Sequence, residues 1–223
     1  MDRSDVKALL AELLGTFTLV FVGAASVTIA PQFGVTVPAF AHGLAVLTMA
    51  FFYGPISGGH FNPAVTAGFL AVGKISVSKA VQYWVVQLIG GIIGGLLVAA
   101  LMNTGAADFN YGQTLGSIDP ADFRVMALEA VLTFFLVTAI FQSAVFGRAG
   151  AFAPIAIGFT LTIAILAGGP YTGASLNPAR TIGPALAAGD LSYILPYIIG
   201  PVVGGVVAAL LHAFLLGPDE EKR

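Results

Sequence analysis

The chain has 223 residues, 57% of them hydrophobic and only 9% charged, with a mean hydropathy of +0.94. A soluble domain carries about 25% charged residues, so these charges are too few to cover a water-facing surface. The net charge of −2 without a basic cluster gives no reason to expect a nucleic-acid partner, and the lack of cysteine excludes disulfides, thiolate chemistry and cysteine-held metals.

Lys, Arg, Asp and Glu are missing from Leu13 to Gly73, Ala80 to Ala107, Ala149 to Ala179 and Leu191 to Pro218. A helix needs about 20 apolar residues to cross the hydrocarbon. The chain therefore predicts an all-α, multi-pass integral membrane protein in contact with the lipid bilayer. Turn signals and charges mark six long spans, near 8–30, 37–56, 80–103, 123–146, 151–168 and 193–216. The first apolar run follows Arg3 and Lys7 but is longer than a signal-peptide core, and its Glu12-x-x-x-Thr16-Phe17 segment recurs later. It reads as a retained helix.

Two short spans begin at Asn62-Pro63-Ala64 and Asn177-Pro178-Ala179 and end near Val72 and Ala188. Asn accepts from first-turn N–H groups as a helix cap, and Pro suits the first helical position. About 11 residues rise only about 16 Å, half the hydrocarbon core. Helices that start at membrane depth are tolerated only beside protein or a water-filled cavity.

Threading six spans places Arg3, Lys7, Lys74, Lys79, Arg148, Lys222 and Arg223 on one side, and Asp108, Asp119, Asp122 and Asp190 on the other, with Arg124 at its edge. The positive-inside rule then predicts cytoplasmic termini. Arg180 stands apart as a charge inside an apolar region, which marks a functional site. The halves repeat: Glu12-x-x-x-Thr16-Phe17 matches Glu129-x-x-x-Thr133-Phe134, the Asn-Pro-Ala triplets match, and Gly90-Gly91 matches Gly204-Gly205. The expectation is one channel domain over 1–223, built from inverted repeats near 5–104 and 122–217. Inverted repeats with interrupted helices place their site at the repeat interface near the midplane, where Asn62 and Asn177 would meet.

These residues resemble the aquaporin (major intrinsic protein) family. The resemblance covers essentially the whole chain and rests on Ser57-Gly58-Gly59-His60-Phe61-Asn62-Pro63-Ala64-Val65-Thr66, Asn177-Pro178-Ala179-Arg180, both Glu-x-x-x-Thr-Phe segments and the glycine pairs. It implies six tilted helices around a narrow pore for water and small neutral solutes, without a cofactor, assembled as a homotetramer. Asn62 and Asn177 form the pore centre, each with an amide NH2 left over once its oxygen caps a helix. Each half-helix also directs a positive end toward that centre, and neither first turn carries an acid to neutralise it. This barrier to cations and protons is the one known from aquaporin-type pores.

The resemblance also carries the selectivity constriction to His42, Ile165, Ala174 and Arg180. His–Ile–Ala–Arg looks most like the plant tonoplast group, while Thr181 after Arg180 argues against the glycerol-conducting branch. Ile165 and Ala174 make one wall apolar, and His42 and Arg180 leave donors on the other, so the pore is expected to pass water and to admit ammonia, hydrogen peroxide or urea. Some ammonia-conducting relatives use a third-loop His; here Phe109 is the nearest equivalent, as an extension of the constriction. The chain's compactness is prokaryote-like, which points to a prokaryotic plasma membrane.

Glu12 and Glu129 carry two readings. Buried carboxylates mark proton relays, which would make the chain a proton-coupled transporter. Their placement, one per repeat and each beside a half-helix, favours structural support of those half-helices. His60 is assigned to the same support or to the cytoplasmic vestibule, and His212 to the membrane interface without a role. His42 has the alternative of being a core histidine. Gly90-x-x-x-Gly94, Gly91-x-x-x-Gly95 and Gly200-x-x-x-Gly204 allow close helix contact, within the monomer in preference to a subunit interface. No nucleophile–base pair, phosphate loop or metal spacing points to an enzyme.

Overall fold

The computed structural model describes residues 3–102 and 110–218. Among these, eight helices of nine or more residues carry the architecture: α1 Arg3–Thr28, α2 Thr36–Ser57, α3 Pro63–Ala71, α4 Val77–Leu101, α5 Phe123–Ile140, α6 Ala153–Thr172, α7 Pro178–Ala188 and α8 Leu195–Phe214. Helix α5 runs on through a π-helical turn, Phe141–Val145. Six helices are long and apolar enough to cross a membrane, namely α1, α2, α4, α5 with its π turn, α6 with the turn before it, and α8. The two short helices α3 and α7 are the expected half-spans.

The boundaries differ from the sequence reading at α1, which begins five residues early at Arg3, and at α6, which ends four residues late. The α6 span was expected to end near 168, but the helix continues through Gly169 and Pro170 to Thr172. Gly168 is not a break: a side chain there would strike Leu132, so its smallness seats α6 against α5. The terminator is Gly173, left-handed at φ 85°, whose N–H closes on the Gly169 carbonyl at 2.9 Å. Gly58 ends α2 in the same way, bonding the Gly54 carbonyl at 2.9 Å.

Packing follows one plan twice. Helix α1 packs against α4 and α2, helix α5 against α8 and α6, and α2 meets α6. The half-helices cross over: α3 lies mainly against α8, and α7 mainly against α4. Paired glycines make those crossings possible. A Cβ on Gly91 would sit 2.6 Å from the Ala179 carbonyl oxygen, and one on Gly205 would sit 2.8 Å from that of Ala64. Gly90 and Gly94 face α1, while Gly200 and Gly204 face α5. All three small-residue patterns are thus used inside the monomer.

Polarity is inverted relative to a soluble protein. Val81, Val85, Ile89, Ile93 and Leu96 form an exposed stripe along α4, whereas Glu12, Gln87, Glu129 and Arg180 are almost fully buried. The apolar stripe suits lipid contact, and each buried polar group needs a partner. His212 departs from expectation here. It lies inside the bundle, 3% exposed, between Gln142 (2.7 Å) and Thr138 (2.9 Å) and stacked on Phe141.

Candidate pore and its constriction

Each half-helix begins where the sequence expects it. The Asn62 side-chain oxygen caps α3 by accepting from Ala64 N at 2.8 Å, and that of Asn177 caps α7 by accepting from Ala179 N at 3.0 Å. The amide NH2 groups are not wholly free for the pore. Asn62 Nδ2 donates to the Leu176 carbonyl at 2.8 Å, and Asn177 Nδ2 donates to the Phe61 carbonyl at 2.9 Å. Since an amide nitrogen has two hydrogens, each Asn spends one on the opposite loop and retains one.

Sequence reasoning missed Phe61 and Leu176. Both adopt left-handed backbone, at φ 49° and 55°, a conformation that costs a bulky residue on the order of 1–3 kcal/mol. It turns their carbonyls to the opposite asparagine and their N–H groups to a carboxylate. Glu12 Oε2 accepts from Phe61 N at 2.6 Å and Gln87 Nε2 at 2.8 Å, while Oε1 accepts from His60 N at 2.9 Å and the Ser57 hydroxyl at 2.7 Å. Glu129 repeats the pattern with Leu176 N at 2.8 Å, Ser175 N at 3.0 Å and the Thr172 hydroxyl at 2.7 Å. A detectable signal existed: Gly54-Pro55 and Gly169-Pro170 each precede their Asn by eight residues. The threonines of the Glu-x-x-x-Thr segments have a local use, with Thr16 and Thr133 bonding the Glu12 and Glu129 carbonyls of their own helices.

Two tyrosines, also missed, brace the same corners. Tyr83 donates to the Ser57 carbonyl at 2.6 Å and Tyr197 to the Thr172 carbonyl at 2.7 Å. The halves are not identical in detail. Gln87 links Glu12 to Thr66 at 2.8 and 3.0 Å, whereas Pro201 occupies the matching place on α8. His60 bonds Thr66 at 3.0 Å and packs against Phe69 and Tyr83.

A narrow central cavity passes the half-helix tips, lined by Asn62, Asn177 and His60 together with aliphatic groups such as Val46, Leu136 and Leu161. An outer cavity of about 550 Å³ is lined by Val35, Gln113, Ile165 and Gly173 among others. His42 and Arg180 line both and so stand at the junction. Ile165 faces only the outer cavity. Ala174, at φ 46° and buried, lines neither, and its neighbour Gly173 takes that wall. A third cavity of about 1,120 Å³ lies at the other mouth, between the α2 and α5 ends and Gly150–Pro154. Phe109 lies outside the described residues.

Arg180 is held on two sides. Its Nε donates to His42 Nε2 at 3.2 Å and its Nη1 to the Gly112 carbonyl at 2.8 Å. Guanidinium nitrogens only donate, so His42 Nε2 must be the acceptor. The imidazole is therefore the Nδ1–H tautomer, donating to the Pro38 carbonyl at 2.7 Å. Gly23 makes room for that ring, since a side chain there would collide with it. His42 is bonded within the bundle and also lines both cavities, so its two readings are compatible. Nearby, burial pushes the Tyr193 phenol up to about 12.

Six spanning helices around two half-helices that meet tip to tip, with cavities running past the tips, define a membrane channel. The chain belongs to the major intrinsic protein, or aquaporin, family, which it matches over residues 2–212. It is 37% identical over 226 residues to aquaporin-8 of Mus musculus, covering 98% of this chain and 85% of that protein. It is 37% identical over 232 residues to the probable aquaporin TIP3-2 of Arabidopsis thaliana, covering 96% and 85%. It is 39% identical over 228 residues to aquaporin Z of Brucella melitensis, covering 96% and 100%. The X-ray structure of the aquaglyceroporin from Plasmodium falciparum superposes with a TM-score of 0.82 over 96% of this chain and 98% of that one; at 24% identity this likeness concerns the fold alone. The family is a class of channels for water and small solutes, not of enzymes.

Proposed function

We propose that this chain is a passive water channel that excludes protons and ions, as one domain of two inverted repeats near 5–104 and 122–217. The observation that carries the reading is the junction of the two cavities. Water leaving the outer cavity passes Arg180 and His42, then reaches the remaining amide hydrogens of Asn62 and Asn177. Two helix N-termini, each equivalent to about half a positive charge, meet there with Arg180 close by and no acidic side chain lining the central cavity. A cation or a relayed proton meets repulsion, and a neutral file does not.

Ile165 and Gly173 leave the outer side of the constriction apolar, which supports passage of ammonia or another small neutral solute beside water. Both termini are placed in the cytoplasm, in the plasma membrane of a prokaryote, with a homotetramer as the assembly. The competing reading, a proton-coupled transporter using Glu12 and Glu129, is disfavoured because backbone and side-chain donors already occupy both carboxylates. A glycerol facilitator is disfavoured by Thr181, whose hydroxyl is engaged by Ser175. Stopped-flow measurements on proteoliposomes test the proposal with a panel of water, ammonia, urea and glycerol, and with Arg180→Ala as control. Water flux no faster than in empty vesicles would refute it; ammonia flux equal to that of empty vesicles would remove ammonia alone.

A further inference from the structure

The Gly112 carbonyl can hold Arg180 only if the outer loop, 110–118, is itself fixed against the half-helix that carries the arginine. Ser117 N and Ile118 N bond the Pro170 and Tyr171 carbonyls, each at 3.0 Å, and so fasten the far end of the loop to α6. At the near end, Gly112, at φ 76°, lies so close to Ala24 that a side chain would collide with it. Between them stands Thr114, fully buried, its hydroxyl 3.0 Å from that of Thr181, the residue after Arg180. The contacts close a ring: Arg180 side chain to Gly112 carbonyl, along the chain to Thr114, across to Thr181, and back along the chain to Arg180.

The direction of the bonds follows from donor counting. Ser175 Oγ donates its single hydrogen to the Asn177 carbonyl at 2.8 Å. It must then accept from Thr181 Oγ1, 2.6 Å away, and Thr181 must in turn accept from Thr114. Three hydroxyls run in one direction from the outer loop to the carbonyl of a pore asparagine, and such chains strengthen cooperatively. Thr114 does not line the central or the outer cavity.

We infer that Thr114 is a positioning residue for solute selection: its hydroxyl, through Thr181, sets where Gly112 holds the Arg180 guanidinium and hence how large a neutral solute passes. The inference rests on Arg180 forming the constriction. Valine at 114 keeps the shape and loses the hydroxyl; serine keeps the hydroxyl and loses a methyl group.

The test is the ratio of urea to water permeability of the full-length protein in liposomes, with Arg180→Ala as reference. Thr114→Val is expected to raise the ratio about five-fold, the equivalent of one lost hydrogen bond. Thr114→Ser should keep the wild-type ratio, and Thr114→Val should add nothing to Arg180→Ala. If Arg180→Ala raises the ratio while folded Thr114→Val does not, or if Ser raises it as far as Val, the inference is overturned. If Arg180→Ala itself leaves the ratio unchanged, the constriction reading fails, and this one with it. Should Thr114→Val not fold, Thr181→Val breaks the same chain from the half-helix side, and a wild-type ratio there overturns the inference equally.

Discussion

Arg180 and His42 close the outer end of the central cavity through one hydrogen bond, Nε to Nε2 at 3.2 Å, with the arginine as sole possible donor. The guanidinium fork spans two directions at once, His42 on one side and the Gly112 carbonyl on the other. A lysine ammonium keeps the charge but not the fork. Arg180→Lys should therefore retain cation exclusion while urea permeability rises on the order of ten-fold, because hydrogen bonds to a charged group contribute about 1.5–3 kcal/mol each. Arg180→Ala should raise both urea flux and proton leak. Equal proton leak in the two variants, read with a pH-sensitive dye inside liposomes, would show that the charge of Arg180 plays no part.

The reciprocal bonds of Asn62 and Asn177 separate capping from pore function. Aspartate in place of either keeps the cap, since a carboxylate oxygen still accepts from Ala64 N or Ala179 N. It removes the donor to the Leu176 or Phe61 carbonyl and brings a negative charge to the helix tips. An orphaned buried carbonyl costs about 1–3 kcal/mol, so both variants should melt earlier. Both should also conduct protons or small cations, as the tip field is offset. Unchanged proton leak in a folded Asn62→Asp channel would remove the helix-tip field from the exclusion mechanism.

The long helices, the half-helix starts and the capping asparagines were legible because each has a local signature: an apolar run of membrane length, an Asn-Pro pair, a charge-free first turn. Arg180 was legible as the exception to its surroundings. The residues that hold these groups were not. Gly112 contributes a carbonyl, which has no side-chain signature, and Phe61 and Leu176 act through left-handed backbone that their residue types disfavour. His212 read as interfacial from its position near the end of a span, but its place is set by Gln142 and Thr138, 70 and 74 residues away in sequence. Pairings at that separation are set by tertiary packing and have no local pattern.

Glu12 and Glu129 discriminate a passive pore from a coupled transporter. Each carboxylate accepts from two backbone N–H groups of the loop entering its half-helix. Glutamine would turn an NH2 group toward donors, leaving at least one buried N–H without an acceptor. Glu12→Gln and Glu129→Gln should each lose about 2–4 kcal/mol of stability, seen as a lower melting temperature in detergent. The fraction that folds should still give water flux linear in the osmotic gradient and indifferent to a proton gradient. Saturable flux driven by the wild-type protein under a proton gradient, abolished in either variant, would establish the transporter reading instead.

Gly91 and Gly205 set how closely each half-helix is held by the opposite repeat. A Cβ at either position would lie 2.6 or 2.8 Å from a first-turn carbonyl, that of Ala179 or Ala64. Real side chains do not sit that close to backbone, so α7 or α3 must shift outward, and the asparagine capping it moves along. Gly91→Val and Gly205→Val should each cost about 1–3 kcal/mol through overpacking. Water permeability should fall as well, because the bonds from Asn62 to Leu176 and from Asn177 to Phe61 depend on the two tips meeting. Val203→Phe, on the exposed face of α8, adds comparable bulk away from any half-helix and should leave both properties near wild type. A Gly91→Val channel with wild-type stability and flux would mean that α7 is positioned by its own Glu129 cradle alone, and that the crossing with α4 is incidental.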